Sequence, residues 1–128
     1  MAKFVNSKVL DFGIDYLRLN CNKVVLVATY AITDTFATVN TTPLADVSGL
    51  VPADFVIASS GNNRTLTAAS KTDTAANVAG GGIGNHIIYL NTVGSEILWA
   101  TPETSGQAVV AGNSVTFPSL VYTAVQPV

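Results

Sequence analysis

The stretch VAGGGIGNHIIYLN, Val78 to Asn91, decides the fold class. If its glycines open a helix, the chain is an α/β protein built to cradle a phosphate. If they run into a strand, it is a β protein. A dinucleotide loop needs glycines at its first, third and sixth positions, after a strand and before a helix, so that backbone N–H groups meet the pyrophosphate. Counted from Gly80 the sixth residue is Asn85, and the residues that follow, HIIYLN, are strand formers. A P-loop fails as well, because no Lys-Ser or Lys-Thr pair follows the glycines. The stretch therefore reads as a mobile or bulged loop over Gly80 to Gly84, where glycine permits close backbone approach, with His86 on the strand beyond.

The β texture extends in both directions. KVVLVATY, from Lys23, is rich in β-branched residues and reads as a buried strand. DFVIASS and RTLTAAS form a hairpin through the turn residues GNN, and NHIIYLN joins EILWAT through TVGS. QAVVAGNSVTFPSLVYTAV supplies the last pair, turning at Gly112–Asn113, with Pro118 marking an edge, bulge or break. TPLADVSGLVP reads as turns, and TDTFATVNTT as strand with threonines facing solvent. About seven or eight short strands at turn spacing predict an antiparallel β-sandwich or small barrel.

One segment carries a helical period. In NSKVLDFGIDYLRLN the apolar Leu10, Ile14 and Leu17 recur at spacings of four and three, with Asn6 or Ser7 as N-cap and Gly13 inside. The expected organisation is one domain over residues 1–128: an N-terminal arm and helix over 1–22 and a β-rich body over 23–128.

Composition narrows the function classes. Charged residues make up 11% of the chain, against about 25% in ordinary soluble domains, and after Asp73 only Glu96 and Glu103 carry charge. So little charge predicts that much of the surface is covered by something. The longest nearly apolar run, Val24 to Ile32, is far short of the roughly 20 residues of a spanning helix, and the N-terminus lacks the apolar core of a signal peptide. A net charge of −2 with six scattered basic residues does not make a nucleic-acid face. Protein partners remain.

No residue of the chain reads as catalytic, cofactor-binding or metal-binding. His86 is the only histidine and Cys21 the only cysteine, so neither a four-ligand zinc site nor a disulfide follows. Cys21 and His86 carry no flanking motif of a nucleophilic pair. Asp11 and Asp15 decorate the wet side of the helix. Tyr89, Trp99 and Phe117 fall on C-terminal strands, where they serve either as core or as interface anchors.

The opening VLDFGIDYLRLNCNKVVLVAT, the hairpin NHIIYLNTVGSEILWAT and the closing VVAGNSVTFPSLVYTAV together resemble small structural proteins encoded beside capsid genes in tailed bacteriophages. AGNSVTF, Ala111 to Phe117, is the best of these matches, while Asn40 to Gly82 lies outside them. The resemblance implies a head decoration, or cement, protein with a β-sandwich or jelly-roll-like fold and no catalytic residues. It would sit on the capsid exterior of the virion after assembly in the bacterial cytoplasm. Its partners would be the major capsid protein and further copies of itself, as a dimer or trimer. On that reading Phe4, Val5, Tyr89, Trp99, Phe117 and Tyr122 are candidate interface residues, the arm Ala2 to Ser7 helps to anchor the protein, and threonine-lined strands supply interface area. Two other readings are a tail, baseplate or fibre component, and a carbohydrate-binding β-sandwich with Trp99 or Tyr89 exposed for stacking.

Overall fold

The order of apolar and polar residues along the chain builds three antiparallel sheets. The computed structural model describes residues 4–5, 13–41, 43–61, 63–77 and 82–125. The strands are β1 (Phe4–Val5), β2 (Lys23–Val27), β3 (Ala45–Ser48), β4 (Phe55–Ser60), β5 (Asn63–Ala68), β6 (Lys71–Asp73), β7 (Gly82–Asn91), β8 (Glu96–Val109), β9 (Val115–Phe117) and β10 (Leu120–Ala124). Two short helices, α1 (Ile14–Asn20) and α2 (Phe36–Thr41), accompany them. A five-stranded sheet runs β1-β8-β7-β2-β3, a three-stranded sheet β10-β5-β4, and a ribbon pairs β6 with β9. The chain is mainly β, in the sandwich arrangement that the sequence predicts.

The five-stranded sheet is buried on both faces, which explains the unbroken apolar runs of its central strands. Val24 and Leu26 of β2, with Ile87 and Tyr89 of β7, face the main core shared with α1 and the other two sheets. Their neighbours Val25, Val27, Ile88 and Leu90 face a second cluster that includes Tyr30 and Val39 of α2. On β8 the register slips between Tyr89↔Trp99 and Leu90↔Ile97, so Leu98 is an inserted residue. Leu98 and Trp99 consequently both join the main core, as a β-bulge dictates.

Several expectations change. Gly13 does not lie inside a helix: its φ is +74°, left-handed backbone that suits glycine, and it caps α1. Ile14 and Leu17 are buried as the helical period requires, while Leu10, Asp11 and the proposed caps Asn6 and Ser7 lie outside the described residues. TDTFATVNTT holds α2 rather than strand. Thr35 Oγ1 accepts from the Thr38 N–H at 3.2 Å, an N-cap bond, and Lys23 Nζ donates to Asn40 Oδ1 at 2.8 Å, tying α2 to β2. Within TPLADVSGLVP, β3 pairs with β2 over Lys23↔Ser48 to Leu26↔Ala45.

The Gly112–Asn113 turn is present, with Gly112 at φ +82°, but it closes no hairpin. The strand before it pairs with β7, whereas β9 after it pairs with β6. Backbone bonds from Ala76 N to Asn113 O (2.9 Å) and from Gly112 N to Ala76 O (3.1 Å) hold the turn where the chain changes sheets. Pro118 falls in the break between β9 and β10.

Candidate functional site

The glycine stretch resolves into strand. Gly82 to Gly84 pair with Val109 to Gln107 on β8, and the register shifts between Gly84 and His86. The irregularity lies beyond the glycines and belongs to β8, where residues 103–106 stand opposite the single Asn85 of β7. The expected loop is absent over Gly82 to Gly84; Gly80 and Gly81 lie outside the described residues. A Cβ on Gly84 would overlap Leu26 on the adjacent strand, so this glycine is needed for close approach of side chain to backbone.

The candidate catalytic groups do not converge. His86 is buried opposite Val27, on the second-cluster face, with its ring 5.8 Å from that of Tyr30. Cys21 belongs to the main core on the other side of the sheet. Burial pushes the Cys21 thiol up to about 12, which holds it protonated and unreactive at neutral pH. Glu96 is structural: its Oε1 accepts from the Tyr16 hydroxyl at 2.5 Å and from Asn91 Nδ2 at 3.1 Å, closing the β7–β8 turn against α1. Glu103 is half-buried, and desolvation raises its carboxyl from its ordinary value. Asp15 pairs with Arg18 at 3.0 Å on the surface. Among the described residues no group of three His, Cys, Asp or Glu side chains is placed to hold a metal ion, and no helix is long and apolar enough to cross a membrane.

The aromatic candidates form an internal ladder across the sandwich. Phe55 of β4 meets Tyr89 of β7 edge-on at 6.0 Å, Tyr89 stacks on Trp99 of β8 at 5.1 Å, and Trp99 meets Tyr122 of β10 edge-on at 5.7 Å. Tyr89, Trp99 and Phe117 are 2%, 7% and 2% exposed. They are core, and as folded they offer no face to a partner or a sugar. Tyr122 is half-buried against the same core. Burial, with smaller contributions from Cys21 and Glu103, raises the Tyr89 hydroxyl well above its ordinary value. Phe4 and Val5 pair through their backbone with Ala100 and Trp99 of their own chain, so the arm is a strand of the sheet at this point.

Two surfaces stand out instead. On the three-stranded sheet, Phe55, Leu66 and Ala68 turn inward and are buried, so the alternate residues point out. These form two rows across the strands, Val56–Thr67–Val121 and Ala58–Thr65–Thr123. Ser60, Asn63 and Val125 extend the face, which has no ionisable side chain, and Val56 and Val121 are 60% and 56% exposed. Its signal in the sequence lies in RTLTA, whose alternation separates inner from outer positions, while FVIA and LVY are apolar on both faces.

The second surface is an open groove of about 570 Å³ between α1 and β4, lined by Asp15, Arg18, Pro52, Ala53, Phe55, Val56, Ile57 and Arg64. It gathers both arginines of the chain, which are too far apart in sequence for spacing to have joined them.

No family model, curated protein or solved structure matches this chain.

Proposed function

We propose that this protein is a non-enzymatic structural component of a tailed-bacteriophage head, a decoration protein that binds the major capsid protein and neighbouring copies of itself. The observation that carries the proposal is the uncharged outer face of β4, β5 and β10. A solvated sheet face ordinarily carries charged side chains that discourage association. Here the outward rows are Val, Thr and Ala throughout, extended by the uncharged Ser60, Asn63 and Val125, which is what a face covered by another protein surface requires. The likeness of the N-terminal segment and of Ala111 to Phe117 to capsid-associated proteins supports a place on the head.

The test is co-sedimentation of purified protein with tailless heads that lack it. Wild-type protein should pellet with the heads. The V56E/V121E variant should lose attachment, because both side chains are exposed and the substitution places two carboxylates in the interface, while thermal unfolding stays close to that of the parent. Equal occupancy by the variant would remove this face from the interface, and absence of the wild type from heads would overturn the head assignment.

A further inference from the structure

We infer that the open edge of β4, together with the two-arginine groove beside it, is a strand-addition site for an extended acidic peptide segment of a partner protein. The three-stranded sheet ends at β4, and among the described residues no strand pairs with its outer edge. The Ala69 N–H donates to Asp54 O at 2.8 Å, which fixes the phase of the ladder. Val56, Ala58 and Ser60 therefore turn their backbone groups toward β5, and Phe55, Ile57 and Ser59 turn theirs outward. The Phe55 N–H is taken by Pro52 O. Among the described residues that leaves the N–H and C=O of Ile57 and Ser59 and the C=O of Phe55 along the edge, enough to register a segment of about five residues.

The groove supplies the choice of side chain. An added strand directs alternate side chains toward α1, where Arg18 and Arg64 stand against the single carboxylate of Asp15. The balance there is positive, opposite in sign to the chain's net charge of −2. Arg18 uses Nε on Asp15 at 3.0 Å and Arg64 uses Nη1 on Ser59 Oγ at 2.6 Å. Each guanidinium has five N–H donors, so both keep donors for an incoming carboxylate. The opposite edge of the sheet, β10, has no such pair. This inference goes beyond the capsid reading and does not rest on it, since binding is read on the isolated protein.

The experiment is an amide-resolved NMR titration with an eight-residue peptide alternating threonine and glutamate, with its threonine–glutamine and threonine–lysine counterparts as controls. The glutamate peptide should shift the Ile57 and Ser59 amides saturably. Binding should weaken about fivefold with glutamine and vanish with lysine, an exposed ion pair being worth at most about that factor. R18A/R64A should weaken the glutamate peptide by about tenfold. S59P, which removes an outward N–H at an edge position where proline is tolerated, should abolish binding; if it fails to fold, the arginine variant carries the test. No shift at Ile57 and Ser59 at millimolar peptide, equal binding of the three peptides, or shifts confined to β10 would each overturn the proposal.

Discussion

Replacing Gly84 by alanine tests how the two strands that carry the fold are packed. Gly84 is buried in β7, and a Cβ there would overlap Cγ and Cδ2 of Leu26 and lie 2.6 Å from its Cδ1. Leu26 is fully buried in the main core and cannot swing into solvent. Forcing a methyl group into such a site costs about 1–3 kcal/mol. Gly84 is not among the glycines with positive φ, so alanine suits the backbone and recovers about 0.5–1 kcal/mol from the unfolded chain. The net expectation is a loss of about 1–2 kcal/mol, or roughly 4–8 °C in Tm for a chain of this length. Urea unfolding followed by the fluorescence of Trp99, the only tryptophan, gives the number. L26A alone should cost about 2–5 kcal/mol. It also removes the atoms that clash, so the double variant should fall short of the summed losses by at least about 1 kcal/mol. A neutral or stabilising G84A, or strict additivity with L26A, would refute the packing argument.

Two further predictions concern pH. Burial alone would raise the Asp54 carboxyl, but the hydrogen bond from Lys71, the Val51 N–H and the Lys71 charge outweigh it and leave it below the ordinary carboxylate value. K71M, which breaks a 2.6 Å pair, should therefore cost about 1 kcal/mol at pH 7. That difference should fade as pH falls through the folded Asp54 value, and a pH-independent difference would count against the ion pair. Glu103 shifts the other way: burial raises its carboxyl, so its contribution is intact in acid and is lost as pH rises through the folded value. E103Q should match the parent near pH 3 and exceed it in Tm at pH 7; the reverse order would show that the carboxylate is stabilising.

The sequence was most legible where burial is two-sided. VVLV and HIIYL are continuous apolar runs because both faces of the five-stranded sheet are covered, and the strands lie where the runs are. The hairpin DFVIASS–RTLTAAS was legible from its turn, since Gly61 adopts φ +59° as a tight connection requires. β3 and α2 were not, being too short to show a period. Each is held by distant partners, β3 by β2 and α2 by the Lys23–Asn40 bond. The Gly112–Asn113 turn was visible but its consequence was not, because backbone bonds to Ala76 decide that the strands on either side join different sheets. The aromatic residues marked important positions without saying which way they face. Apolar runs of strand formers place Tyr89 and Trp99 on strands, and only the packing of one sheet on another shows that their side is the inside.

The most direct test of capsid decoration is a cryo-EM reconstruction of tailless heads carrying bound protein, compared with heads that lack it. Added density on the capsid exterior should fit this fold, with the Val56–Thr67–Val121 row seated against the major capsid protein or a neighbouring copy. Heads without added density, or a bound protein whose β4–β5–β10 face looks into solvent, would contradict it.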